Sequence, residues 1–285
     1  MKQQTILPVR ADQAPDPMIP IPVPPQPAFT ESIADIGDAK IWYTDTGGAG
    51  VPVVMVHPAS GSGLVWLYQR PALHAAGYRV ITWSRRGCHG SSPVDLQNPG
   101  IASHDLLKLV NQLGLGTFHL VCCAAGGRVG TDFGFSHPDR VRSIVVASNS
   151  FGVSDGIIAE TAARIRPEGW DEWPWWFREL GPSYRAANPE GTKLWIDLEH
   201  QGAAPDGHRQ KTAHIATEAM LAEFKPPTLL MTGDADTSTP PATLRLMAAR
   251  IPGSEICVLP ECGHSAYWER PDLFNAAVLD FIGRH

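Results

Sequence analysis

Short apolar runs recur along the chain at 51–56, 78–83, 118–122, 141–147, 228–231 and 255–259. Each has the length of a strand and is rich in Val, Ile and Leu. None alternates polar with apolar, so the pattern predicts strands buried on both faces, as in a parallel sheet. Between them apolar residues return at i, i+3, i+4 and i+7: Leu106, Leu109, Val110 and Leu113; Leu244, Met247, Ala248 and Ile251; Phe274, Ala277, Val278 and Phe281. That spacing places one apolar stripe on a helix. Strand and helix in alternation predict an α/β fold with helices on both faces of the sheet. Ahead of it, 32–36 and 40–45 flank Gly37-Asp38 and read as an opening hairpin.

The alternation lapses between about 152 and 225, where tryptophans, prolines and polar residues replace it. That block is expected to be a helical insertion, or cap, over one end of the sheet. The first 30 residues hold eight prolines, with IPIPVPP at 19–25, a composition that favours an extended polyproline II course. This segment is expected to be an arm, either a surface-laid or disordered leader or one that docks on the core or on a neighbouring copy in a homo-oligomer. The division expected is therefore an arm over 1–30, an α/β core over 31–151 and 226–285, and a cap over 152–225.

Composition narrows the partners. Lys and Arg total 23 against 29 Asp and Glu, a net charge of −6, which argues against a nucleic-acid groove or an anionic membrane surface. No run reaches the roughly 18 apolar residues of a transmembrane helix, and Lys2 is followed by polar residues and prolines rather than by a signal peptide's apolar stretch. The five cysteines, Cys88, Cys122, Cys123, Cys257 and Cys262, are odd in number and lack metal-ligand spacing. A reducing, cytoplasmic setting is therefore expected.

In an open parallel sheet, ligands bind outside the carboxyl ends of the strands. Four loops follow such ends: His57-Pro58-Ala59-Ser60-Gly61-Ser62-Gly63, Cys122-Cys123-Ala124-Ala125-Gly126-Gly127, Gly233-Asp234-Ala235-Asp236 and Glu261-Cys262-Gly263-His264. Together they resemble the α/β-hydrolase superfamily over nearly all of the chain from about residue 31. In that family a G-x-S-x-G elbow, an acid and a Gly-His pair follow successive strands in chain order. The turn Arg86-Gly87-Cys88-His89-Gly90-Ser91 is also similar, with His89 where a second glycine is usual.

The elbow departs from the pattern. Aligning Gly126 and Gly127 with the family's final glycines puts Ala124 at the nucleophile position and Cys122 at the first glycine. Alanine cannot attack a substrate. Three explanations stand: a serine hydrolase whose nucleophile is replaced by alanine, a natural non-hydrolytic member, or a thiolate from Cys123 or Cys122. Register opposes Cys123, since bulky Val121 would then stand two residues before it. An aspartate nucleophile, as in epoxide hydrolases and haloalkane dehalogenases, usually precedes a tryptophan, and Ala125 stands there instead.

The resemblance implies further roles. His264 would be the general base, and Asp236, with Asp234 as rival, would orient it. The backbone N–H groups of Ala59 and Ala125 would form the oxyanion hole. Five of the nine tryptophans fall in the expected cap; Trp173, Trp175 and Trp176, with Trp66, would wall an apolar pocket. The expected activity is hydrolysis of a medium-sized apolar ester or lactone, without a cofactor, by a centre that alanine at 124 inactivates. The alternatives are a ligand-binding pseudoenzyme and a C–C bond hydrolase or lyase.

Overall fold

The computed structural model describes residues 16–202, 204 and 210–285. The opening hairpin is present as β1 (Thr30–Asp35) and β2 (Lys40–Asp45), paired antiparallel. Then follow β3 (Pro52–Val56), α1 (Gln69–Ala75), β4 (Arg79–Trp83), α2 (Ala102–Gln112), β5 (Phe118–Cys123), α3 (Ala125–Ser136) and β6 (Val141–Ala147). Between β6 and β7 the chain forms α4 (Gly156–Ile165), α5 (Trp175–Glu179), α6 (Pro182–Ala187) and α7 (Pro189–Gly202). It closes with β7 (Thr228–Gly233), α8 (Pro241–Ala248), β8 (Glu255–Leu259), α9 (Ala266–Glu269) and α10 (Pro271–Ile282).

The eight strands make one sheet in the order β1-β2-β4-β3-β5-β6-β7-β8, parallel from β4 onward. Val54, Val56, Ile81, Leu120, Ile144 and Leu230 pack on one face with Leu106, Leu109, Phe133, Leu244 and Met247 of α2, α3 and α8. Their strand neighbours Val53, Met55, Val80, Val121, Val145 and Leu229 pack on the other with Leu73, Phe274, Val278 and Phe281 of α1 and α10. Successive strand side chains point to opposite faces, and here both faces are covered. That is why the runs show no alternation. A fully buried side chain such as Phe133 contributes about 1.5–3 kcal/mol.

Helix α3, Ala-Gly-Gly-Arg-Val-Gly-Thr-Asp-Phe-Gly-Phe-Ser, contains four glycines, each roughly 1 kcal/mol less favourable than alanine in a helix interior. Close approach to the sheet explains two of them, Gly126 and Gly130, while Gly127 and Gly134 sit against the side chains of Asn149 and Phe224. A Cβ on Gly126 would lie 2.1 Å from the Val56 carbonyl oxygen, and one on Gly130 would lie 2.3 Å from the Cys122 sulfur. The helix packs at a distance that only glycine allows, so tertiary contact overrides propensity.

Of the Pro-rich segment, residues 1–15 lie outside the described residues. Farther along, its residues 21–26 contact the chain just ahead of α1: the Tyr68 hydroxyl donates to the Ile21 carbonyl at 2.9 Å, and Gln26 donates to the Leu67 carbonyl at 2.8 Å. All five cysteines are buried thiols. No helix among the described residues is long and apolar enough to cross a membrane.

Candidate active site

Strand β5 ends at Cys123 and α3 begins at Ala125, so the chain reverses within one residue. Ala124 takes that turn at φ 47° and ψ −121°, a conformation that a non-glycine residue holds at about 1–3 kcal/mol. Its N–H donates to the Ala147 carbonyl at 2.9 Å, and its own carbonyl accepts from Gly127 N–H at 2.8 Å. Gly126 lets the turn close against β3, and Gly130 makes room for Cys122 where the family carries glycine. The sequence therefore builds a strained strand-to-helix elbow with a methyl group at its tip.

His264 follows β8, and its Nδ1 lies 2.9 and 3.0 Å from the two carboxylate oxygens of Asp236, which follows β7. Asp236 also accepts from Ser238 N–H at 2.7 Å, Thr239 N–H at 2.8 Å and the Thr232 hydroxyl at 2.9 Å. Burial favours its neutral form, yet His264 and these donors hold the carboxyl below its ordinary range. Asp234, two residues earlier, is exposed. Of the two rival acids, Asp236 is the one against the imidazole.

Ala59 and Ala125 both border the same cavity, and neither N–H finds an acceptor among the described residues. Two unspent backbone donors beside the elbow suit an oxyanion. The imidazole of His57, in the same loop, is an internal prop: Nδ1 bonds the Pro58 carbonyl at 2.7 Å and Nε2 accepts from Arg85 N–H at 3.1 Å. Burial and the Arg85 charge push its pKa well down, keeping it neutral.

A residue the motifs did not announce completes the surroundings of His264. Glu179, the last residue of α5, is buried and places Oε2 4.0 Å from His264 Nε2. Burial raises its pKa, against the attraction of His264. Burial alone would lower the histidine's pKa, but Asp236, Glu179 and the more distant Glu269 outweigh it and push the pKa up to about 9. Glu179 follows Trp-Trp-Phe-Arg in the insertion, at no spacing that the histidine loop would reveal.

The cavity has a volume of about 600 Å³. Trp175, Val129 and Ile215 give it apolar wall, while Arg85, Arg86, Arg128 and Lys211 bring cations and Glu199 a single carboxylate. Arg86 is neutralised by the buried carboxylate of Asp105, at 2.7 and 2.8 Å, and by Asp38 at 2.8 Å. For the exposed side chains of Arg128 and Lys211 no ion-pair partner occurs among the described residues. The cavity is thus apolar on one side and cationic on the other.

Of the tryptophans expected in its wall, only Trp175 lines it. Trp66 is fully buried against Tyr267, with ring centres 5.2 Å apart, so it belongs to the core beneath the loop. Trp173 and Trp176 lie against Phe177, with ring centres 5.5 and 5.7 Å away, in a partly exposed cluster outside the cavity lining. Cys122 and Cys123 are fully buried, and burial pushes both thiols up, away from the thiolate a nucleophile requires. The described residues contain no group of three or more His, Cys, Asp or Glu placed to hold a metal ion.

Comparison with known proteins agrees with this geometry. A family model described as the alpha/beta hydrolase family matches residues 53–277. A 2-hydroxy-6-oxononadienedioate/2-hydroxy-6-oxononatrienedioate hydrolase of Pseudomonas putida is 26% identical over 276 residues, covering 86% of this chain and 92% of its own. Its namesake in an Escherichia coli strain is 29% identical over 279 residues, covering 86% and 91%. Among solved structures, a thermophilic esterase from Thermogutta terrifontis superposes with a TM-score of 0.72 at 25% identity, covering 90% of this chain and 98% of that one. By the family match over residues 53–277 and the sheet it shares with these structures, this chain belongs to the alpha/beta hydrolase family.

Proposed function

We propose that the site binds a medium-sized ester or lactone with its carbonyl oxygen against the N–H groups of Ala59 and Ala125, and that alanine at 124 withholds the nucleophile of an otherwise complete acyl-transfer centre. The observation that carries this reading is the φ of 47° at Ala124 beside a paired His264–Asp236. A strained turn that presents only a methyl group is the conformation a nucleophile at that position would need. The cavity refines the substrate: an apolar portion against Trp175 and Val129, and a carboxylate or other anion toward Arg128 and Lys211. The relatives named for a dienedioate are consistent with an anionic substrate.

Two backbone donors without a nucleophile leave roughly 10³–10⁴-fold catalysis over water. Hydrolysis of an ester and lactone panel by the unmodified chain and by Ala124→Ser tests the reading. A gain in the variant that His264→Ala abolishes supports it. A folded variant with no gain on any member overturns it. A second reading, acid–base chemistry without a covalent intermediate, is favoured by the carboxylate of Glu179 beside His264 Nε2.

A further inference from the structure

His264 carries carboxylates at both ends of its ring. Asp236 lies at Nδ1 within hydrogen-bond distance, and Glu179 lies 4.0 Å from Nε2. The second contact comes from the insertion between β6 and β7, not from the strand ends that supply the rest of the site. It is tied down locally: Ser265 N–H donates to the Glu179 carbonyl at 2.9 Å, and the Ser265 hydroxyl donates to Oε2 at 3.3 Å. The neighbouring Gly181 N–H donates to Glu269 at 2.7 Å, and Gly263 N–H donates to the same carboxylate at 2.9 Å. Thus Glu269 clasps the insertion to the histidine loop and keeps Glu179 in place.

Nε2 is the atom that a base must leave unprotonated to take a hydroxyl's proton. An anion beside it favours the imidazolium and opposes that role. We propose that Glu179 is a positioning residue that retains the proton on His264 at neutral pH, so that Asp236, His264 and Glu179 form a proton-donating centre toward an oxyanion or anionic ligand. The proposal rests on the His264–Asp236 pair of the preceding reading, but it does not require that a serine ever stood at 124. It is also compatible with alanine there, since a histidine kept protonated cannot take the proton of a hydroxyl.

The groups facing the imidazole and Glu179 allow this. Asp236, Glu179 and Glu269 act on the ring, and Arg178 lies near Glu179 on the same helix. Cys123 of β5, Cys262 before the histidine and Tyr267 of α9 are buried groups whose ionisation is pushed upward, so they stay neutral. No cation among them is aimed at Nε2 to reverse the balance.

Histidine ¹³C and ¹⁵N resonances followed against pH in the full chain, with His264 assigned from a His264→Asn spectrum, test the proposal without any ligand. His264 should remain protonated past pH 8, and Glu179→Gln should lower its midpoint by about one pH unit or more, a tenfold change in proton affinity. Glu179→Asp should restore part of the shift, which a purely structural role would not do. As a second measurement, Ala124→Ser,Glu179→Gln should react with a fluorophosphonate faster at pH 7 than Ala124→Ser does. A His264 midpoint at or below about 6.5 in the unmodified chain, or one that Glu179→Gln leaves unchanged, overturns the proposal. The NMR result is independent of whether Ala124→Ser becomes a hydrolase, so the two readings can fail separately.

Discussion

The imidazole Nδ1 of His264 lies 2.9 Å from Oδ2 of Asp236, and both side chains are buried. Against the effect of burial, Asp236 together with Glu179 and Glu269 raises the histidine's pKa to about 9, and that sets the pH dependence of any nucleophile placed at 124. A hydroxyl there is activated only when the imidazole is neutral. The kcat/KM of Ala124→Ser should therefore climb with pH through about 9, not level off near the ordinary histidine value of about 6.5. Asp236→Asn should reduce activity and move the rising limb downward. A pH–rate profile with a plateau already reached at pH 7.5 would contradict this.

Gly126 stands where a Cβ would come within 2.1 Å of the Val56 carbonyl oxygen and 2.7 Å of that of His57. Neither is a side chain that can swing aside. Gly126→Ala should lower stability by about 1–3 kcal/mol or more, read as a shifted urea midpoint, and should displace the Ala59 and Ala125 donors. A variant as stable as its parent would show that α3 does not press on β3 as described.

The tryptophans separate by role. Trp66→Ala removes a fully buried ring and should cost about 3–5 kcal/mol of stability. Trp175 is 41% exposed at the cavity wall, so Trp175→Ala should leave stability nearly unchanged. It should weaken long-chain esters more than an acetyl ester in competition binding. Equal losses for both esters would remove Trp175 from the binding wall.

The cavity's arginines separate in the same way. Arg86→Met strands the buried Asp105 and should destabilise the fold by about 3–5 kcal/mol. Arg128→Gln and Lys211→Gln should leave the fold intact and weaken binding of a carboxylate-bearing ester relative to its neutral methyl ester. Each exposed charge is worth about 0.2–1 kcal/mol, so the preference should fall up to about fivefold per residue and fade with added salt. Indifference of both esters to both variants would exclude the cationic wall from recognition.

Much of the architecture was legible because the strands at 53–56, 118–122 and 228–231 are buried on both faces and leave unbroken apolar runs, and α2, α8 and α10 carry one apolar stripe each. Asp236 and His264 were legible from their places after β7 and β8. Helix α3 was harder, because its glycines argue against a helix until the close approach to β3 is known. Glu179 was not legible at all, since a carboxylate delivered from another segment has no fixed spacing to the histidine it meets. Of the expected wall, only Trp175 borders the cavity, for a related reason. A run of tryptophans signals apolar surface but not its direction: Trp66 lies in the core, while Trp173 and Trp176 lean on Phe177 with Trp176 and Phe177 still open to solvent.

The central claim is that, once His264 is neutral, the site lacks only the attacking atom. Intact-mass spectrometry of Ala124→Ser treated with a fluorophosphonate tests it most directly, with the unmodified chain and Ala124→Ser,His264→Ala as controls. One adduct should appear on the variant, localise to position 124, and be absent from both controls. A folded Ala124→Ser protein that acquires no adduct at any pH up to 9.5, or an unmodified chain that labels at Cys122 or Cys123, would contradict it.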